Sequence, residues 1–533
     1  MSILRNVLNS RSSNGKKDLG IYLTLFISTF FFLVFSAYSI YRYVSLNATG
    51  FDLGIYSSAF FNALHGGLFY TNRLNESYLG NHFSPFMFLL VPFVYIYQHN
   101  ATLLVLQASF ISFGAVPIYL TFRKVVPEDY RKYGFSLVVL YELSPVVIGP
   151  ISFDFHLMAL MPFFYLFALY FFVTRKMIPF YLSIAAIVSI HAFFAIIAVF
   201  FIFSLYLAKY VRKGWLAEMT HRKKEALRIF AGFIVAVVIL IAYLLFAEHM
   251  RSVISGSSLS ITGINSLLIY LKNEYNISFT TGMLMHMFGS KLSILAVALI
   301  GGGIFAILSP LYLIPVVPYV IFAMFSGNAA YYTEGYQYTA MFSPMVFAAA
   351  IFGLKRIMKA FGGVRSPIIK FRTFVVFLVL ALAIFGFMLS PISPEPYHIQ
   401  NGNIKSFSEF HVNQTSEAVY LLRNNINRSS LILTQNNLYP QFSKYPDAYI
   451  LYSYTAIGNL SSLFQRNFTY IIADRYSFFY NQADLVGISM KGLVEKLSMS
   501  GYGTYFNESG IVVLKYKYSG PQYVIEKGSL VLE

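Results

Sequence analysis

The chain has 533 residues, of which 57% are hydrophobic and only 11% charged, and its formal net charge is +17. Soluble globular chains are about 25% charged. The composition therefore excludes an ordinary soluble enzyme, a disordered chain, collagen and a coiled coil, and predicts an α-helical polytopic membrane protein. With no cysteine, disulfides, thiolate metal sites and cysteine nucleophiles are excluded as well.

In chain order, apolar runs predict eleven membrane spans, at 21–43, 101–121, 135–152, 157–174, 177–190, 192–211, 229–247, 291–309, 311–326, 339–354 and 373–391. At 1.5 Å of rise per residue, each reaches across about 30 Å of hydrocarbon, the fifth only barely. Arg175 and Lys176 precede the stretch 177–211, and Lys209, Arg212 and Lys213 end it. Both groups belong on one side, so this stretch makes two crossings rather than one.

The basic tail 1–19 has no small-residue cleavage site and reads as an uncleaved cytoplasmic segment. Alternating sides from there puts twenty-three Lys and Arg against five acids inside, and leaves the rest of the chain near neutrality. The charge thus reports orientation by the positive-inside rule, and no nucleic-acid partner is expected. Nine Asn-X-Ser/Thr acceptors, at Asn47, Asn75, Asn100, Asn276, Asn413, Asn427, Asn459, Asn467 and Asn507, all fall on the external side. The expectation is a glycosylated multi-pass protein of the cell membrane, with its C-terminal part extracellular. The cysteine-free, Tyr- and Ile-rich composition suits an archaeal source.

Residues 20–391 form the expected membrane domain and 392–533 an extracellular α/β domain, with Pro391, Pro394 and Pro396 at the hinge. Strands are predicted at Ser430–Thr434, Ala448–Tyr452, Tyr470–Ala473 and Ile511–Tyr516, and helices at Glu417–Asn424 and Leu485–Met499. The first external loop, 44–100, is long. It carries two amphipathic pieces, Phe51–Leu64 and Phe86–Tyr97, suited to helices lying along the outer leaflet.

Several polar residues stand out against this apolar background. Asp52, in Gly50-Phe51-Asp52-Leu53-Gly54, either caps the first interfacial helix or serves as a general base or ligand at the membrane surface. Asp154 and His156 lie two apart in an external turn. They either tie down the hairpin or form a ligand pair for a phosphate-bearing substrate or a divalent metal (Mn, Zn or Mg). His82 and His191 are expected at the same external depth. Glu142 is an intramembrane acid. Glu334, Tyr336 and Gln337 form an aromatic external loop suited to sugar hydroxyls or to the membrane interface. No phosphate-binding loop, HExxH or nucleophile elbow occurs.

The order of motifs resembles a known family. Phe-Asp-Leu-Gly follows the first span, and His-Phe-Ser-Pro opens the second interfacial helix. Leu-Ser-Pro and Asp-Phe-His occupy 143–156, Pro310, Pro315 and Pro318 precede an aromatic loop running to Pro344, and Leu-Thr-Gln-Asn-Asn-Leu-Tyr-Pro occupies 433–440. From about 20 to 520 the chain resembles the membrane proteins grouped as domain of unknown function family 2079. That family is similar in turn to the GT-C glycosyltransferases. The resemblance implies a sugar transferase using a polyprenyl- or dolichyl-phosphate-linked donor at the outer leaflet, with a glycan, lipid or protein acceptor. It implies Asp52 as the position of the catalytic acid and Asp154 and His156 as the polar pair of the second loop, and the expectation that follows has Asp52 as base and Asp154, His156 and His82 around the donor phosphate. A lipid or glycolipid transporter and a non-catalytic surface-assembly protein are the competing readings.

Overall fold

A computed structural model describes residues 18–72, 74–211, 223–256, 276–361, 368–393, 410–451, 466–483 and 487–532, together with residue 272. The chain is mostly helical and ends in a mixed β-sheet. All eleven apolar runs are helical, but they are not eleven uninterrupted crossings. Four stretches are long and apolar enough to span a bilayer unaided: Leu19–Val44 (α1), Asn100–Val125, Phe233–Ser255 and Phe288–Ala306. A fifth arises if Tyr130–Glu142 and Pro145–Ser152, bent by 43°, count as one span.

The breaks have local causes. Pro145 has no N–H to donate and crowds the preceding turn, so the helix Gly134–Glu142 (α2) stops before it and Pro145–Ser152 (α3) starts in a new direction. Gly302, at φ 126°, lies in a π-helical turn that interrupts the run 288–306. The start of the first span is fixed by Asp18, which caps Gly20 N–H at 3.1 Å and pairs with Arg123 at 2.8 Å.

Both amphipathic pieces of the first loop are helical. Ile55–Leu64 (α4) follows the turn Gly50–Gly54 and is buried over its first six residues, so protein rather than lipid covers it. Met87–Ile96 (α5) has the opposite character. Phe88, Leu89, Phe93 and Ile96 are half or more exposed, leaving an apolar face that fits the lipid boundary.

Tyr70–Thr71 (β1) and Glu76–Ser77 (β2) pair as a short antiparallel ribbon in the first loop. Ile432–Thr434 (β3), Ala448–Ile450 (β4), Tyr470–Asp474 (β5), Tyr502–Glu508 (β6), Ile511–Tyr516 (β7), Tyr523–Glu526 (β8) and Ser529–Leu532 (β9) form the C-terminal sheet in the order β4-β3-β5-β7-β6-β8-β9. Ile432–Thr434 (β3) lies parallel to both Ala448–Ile450 (β4) and Tyr470–Asp474 (β5), and Ile511–Tyr516 (β7) continues antiparallel to β5. Tyr502–Glu508 (β6) and the hairpin of Tyr523–Glu526 (β8) and Ser529–Leu532 (β9) complete it. Gln414–Asn425 and Met490–Ser498 supply its helices. Wholly buried strand residues such as Ile432, Ile472 and Val513 form one core, and Leu433, Ile471 and Val512 contribute to another. The alternation of consecutive residues between the two is the period-two signature of a sheet covered on both faces.

This sheet is seated on the first loop through the segment 433–440 and its neighbours. Gly50 N–H donates to the backbone oxygen and to Oδ1 of Asn436, both at 2.9 Å. Asn100 Nδ2 donates to the Pro440 carbonyl at 2.6 Å, Ser443 Oγ meets Ser57 Oγ at 2.9 Å, and Gln441 Nε2 donates to the Tyr43 carbonyl at 3.1 Å. Tyr439 packs against Gly54, where a methyl group would sit 2.5 Å from its Cδ1. Gly54 itself has ordinary helical dihedrals, so alanine there meets only a steric objection. Gly54→Ala should lower the melting temperature, with overpacking costing about 1–3 kcal/mol. In a Tyr439→Ala background the same change should become neutral or stabilising, since alanine is the better helix former by about 1 kcal/mol. Thermal unfolding of the four proteins in detergent checks this.

Candidate functional site

The first span ends in an arginine. Arg42 lies in the last turn of α1 and is 2% exposed. A buried guanidinium is tolerated only with a close anion and further hydrogen bonds, and here the anion is Asp154. Arg42 Nη1 donates to Asp154 Oδ1, while Asp154 Oδ2 accepts from Thr49 N–H at 2.8 Å and from Thr49 Oγ1 at 2.5 Å. Both carboxylate oxygens are thus engaged by protein donors, and Asp154 is fully buried. Of the two readings the sequence offers for Asp154, these contacts favour the one in which it ties the turn down. Its place is structural, joining the end of α1 to the residue before Gly50.

Thr49 is extended, and Gly54 N–H reaches back to its carbonyl at 3.2 Å, closing the π-turn Gly50–Gly54. Asp52 therefore lies inside this turn rather than at the helix N-cap, a position Thr49 occupies. A carboxylate in a first helical turn still gains from the partial positive charge of the helix start. Asp52 Oδ1 stands 3.8 Å from His156 Nε2, and the two side chains are 18% and 11% exposed.

Gln107, in the span Asn100–Val125, holds the 154–156 turn from behind. Its Oε1 accepts His156 N–H at 2.8 Å, and its Nε2 donates to the carbonyls of Pro150 at 2.8 Å and Asp154 at 3.2 Å. His156 Nδ1 accepts Met158 N–H at 3.2 Å. A neutral His156 therefore carries its proton on Nε2, the nitrogen that faces Asp52. Phe153 and His156 are extended, and Asp154 and His156 meet different partners, Thr49 with Arg42 and Asp52 respectively.

From His156 a line of rings continues. His156 packs edge-on to Tyr56 at 5.4 Å, Tyr56 and Tyr78 share a hydroxyl contact of 2.5 Å, and His82 lies 5.7 Å from Tyr78 and 5.0 Å from His191. His82, His156 and His191 are thus linked through one line of rings, with His156 and His191 buried, His82 partly so, and His156 facing Asp52. Burial drives all three imidazoles towards neutrality. His156 is pushed down to about 3 and His82 to about 4, with neighbouring positive charge adding to burial, and His191 falls well below its usual value. They face this site as neutral hydrogen-bonding rings.

Glu334, Tyr336 and Gln337 occupy the loop packed on α3. The Glu334 carbonyl meets Gly149 where a side chain would otherwise stand, and Tyr336 lies 4.9 Å from Phe153. Glu142 is wholly buried in α2, on the other side of the Ser144–Pro145 break from Asp154. Among the described residues, no three His, Asp or Glu side chains gather as a metal site. Asp154 directs its carboxylate to Arg42 and Thr49, and the acid beside His156 is Asp52.

Of the acceptor asparagines, Asn75, Asn276, Asn413, Asn427, Asn467 and Asn507 are exposed and Asn47 is partly so. Asn459 lies outside the described residues. Asn100 is 2% exposed, with its amide bonded to Pro440 and Ser57, so it is not an acceptor in the folded chain.

A family model described as "Predicted membrane protein (DUF2079)" matches residues 42–513. The chain belongs to that family. The DUF2079 match runs from the Arg42 end of α1 to β7 and so takes in the clasp, the histidine group and the 433–440 segment. No curated protein matches the chain. Among solved structures it is similar to ArnT from Cupriavidus metallidurans, crystallised bound to undecaprenyl phosphate. The identity is 11% and the TM-score 0.47, over 90% of this chain and 97% of that one.

Residues that sequence reasoning passed over are Arg42, Thr49 and Gln107. An arginine closing an apolar span and a glutamine inside one were the available signals. Asp154→Ala leaves a buried guanidinium unpaired and should cost about 3–5 kcal/mol. Arg42→Met with Asp154→Leu should recover most of that stability, as read by thermal unfolding. The histidines set a pH dependence. Their folded-state values lie below the ordinary 6.5, so the unfolded chain binds protons first as pH falls. Their contribution is full above about pH 6.5 and fades towards pH 4. Thermal scans from pH 8 to 4 should show that decline, with a shallower slope in His82→Gln.

Proposed function

We propose that this DUF2079 chain is a membrane glycosyltransferase of the GT-C type, moving a sugar from a polyprenyl- or dolichyl-phosphate carrier to a hydroxyl acceptor on the outer face. The observation that carries the reading is the placement of Asp52. It is partly exposed, held in a turn fixed by Thr49 and Asn436, and 3.8 Å from a neutral His156. A carboxylate so placed serves as general base.

In this mechanism Asp52 takes the acceptor hydroxyl proton as the oxygen attacks the anomeric carbon. The bond from that carbon to the carrier phosphate breaks, and its electron pair leaves with the phosphate. A single-displacement route of this kind inverts the anomeric centre, because only one carboxylate acts and no sugar–enzyme bond forms. His156, with its Nε2 proton, and His82 and His191 behind it offer uncharged hydrogen bonds to the leaving oxygen anion in a site poor in water. Arg42 and Asp154 act on Asp52 only through Thr49. No step requires a metal.

An apolar groove of about 460 Å³, lined by Ile294, Leu299, Val317, Phe342 and Val346 among others, supports a place for an isoprenoid tail. It lies below the loop 331–341, whose Tyr331 carbonyl accepts from Tyr319 of the groove. We infer from the charge pattern that the N-terminus is cytoplasmic and the C-terminal sheet external, which puts the exposed acceptor asparagines outside.

Asp52→Asn keeps the size and removes the base. Transfer of radiolabelled sugar from polyprenyl-phosphate donors in native membranes should fall by about 10²–10⁴-fold, with folding unchanged by thermal unfolding. Full activity of this variant would remove Asp52 from the mechanism. The Arg42→Met/Asp154→Leu protein, although stable, should also transfer poorly because Thr49 has lost its anchor.

A further inference from the structure

Beside the Asp52 turn lies a cavity of about 310 Å³ between the membrane helices and the C-terminal sheet. That size is at the lower end of small-molecule sites, which run from about 300 to 1,000 Å³. One wall comes from the first loop and its packing partners, through Phe51 next to Asp52 and Tyr336 over Phe153. The other comes from the sheet and its connections, through Gln435, Asn436, Phe479 and Gln482.

The lining has a distinct chemistry. Among the described residues it contains aromatic rings, carboxamides, aliphatic residues and the Thr49 hydroxyl, and no Asp, Glu, Lys, Arg or His. That is notable in a chain of net charge +17. A cation stands nearby, since the Arg42 guanidinium lies 5.6 Å from the Phe153 ring centre, but it is buried and paired with Asp154. An anionic ligand entering the cavity would leave its water shell without meeting a balancing charge, which is costly. A neutral, hydroxyl-rich ring meets what it needs. Its C–H face packs on the aromatic rings, and its hydroxyls exchange hydrogen bonds with carboxamides, which both donate and accept. The neighbouring hollow differs, since its lining includes Asp474 and His411.

We infer that this cavity is the acceptor subsite and that it takes the uncharged end of a saccharide, excluding uronic-acid and phosphate-bearing sugars. The identification of the occupant as acceptor rests on the proposed transferase reading. Binding of a neutral saccharide can be measured without it.

The test is saturation-transfer NMR on the full-length protein in detergent, with maltotriose and mannotriose as neutral probes and a hyaluronan tetrasaccharide as the anionic one. The neutral probes should give signal in wild type and in Asp52→Asn, and the anionic probe none. Gln482→Ala, at an exposed connection, and Phe479→Ala should each weaken neutral binding by about tenfold, a change of one decade in Kd, with melting temperatures reported alongside. Equal binding of the anionic probe, no binding of either neutral probe, or undiminished binding in a folded Gln482→Ala protein would overturn the assignment. If neutral sugars bind as expected while Asp52→Asn retains transfer, the saccharide site stands and the base assignment falls. The two readings therefore fail separately.

Discussion

The arrangement depends on a buried ion pair. A guanidinium and a carboxylate removed from water each lose several kcal/mol of solvation, and their mutual attraction offsets this only when the remaining hydrogen-bonding capacity is met. Asp154 meets that condition by accepting from Arg42 on one oxygen and twice from Thr49 on the other, while Arg42 Nη2 is buried with no hydrogen-bond partner among the described residues. Partners 112 residues apart in sequence thereby fix where the first span hands over to the loop. Thr49 has one allowed place, the π-turn begins from it, and Asp52 takes its orientation from the turn. A hydrophobic substitute for the pair could match its stability without supplying a donor set that positions Thr49.

The same turn is held from above. The Gly50 N–H that opens it is bonded twice to Asn436, and Tyr439 fills the space that a side chain at Gly54 would need. The sheet is therefore part of the turn's geometry and not an appendage. Two short motifs 386 residues apart in sequence fit one another, glycine against tyrosine and amide against backbone.

What the sequence made legible follows physical lines. Apolar runs predict helices because a long uninterrupted stretch of Leu, Ile and Phe has little other outlet, and all eleven are helical. Their breaks were less visible, although Pro145 and the triple glycine 301–303 carry the signal. Four strands of the sheet were readable from clustered Ile, Val and Tyr. β6 was missed because Gly503, Asn507 and Glu508 dilute that pattern, and the β8–β9 hairpin because it is short and largely exposed. Asp52 and the histidines were legible as polar residues in costly surroundings. The partner of Asp154 was not, since spacing along a turn says nothing about a side chain arriving from a distant helix. His156 two residues away was the sequence neighbour, whereas Arg42 was the electrostatic one.

The exposed apolar face of α5 has a further consequence. With Phe88, Leu89, Phe93 and Ile96 turned outward, that segment partitions into the lipid boundary and pins the first loop at a fixed height above the hydrocarbon. On the proposed transferase reading, a donor dissolved in the membrane then reaches the neighbouring turn by sliding sideways within two dimensions, not by falling in from solution. Its encounter rate scales with its density per unit area of bilayer, and dilution of the surrounding water leaves that rate unchanged.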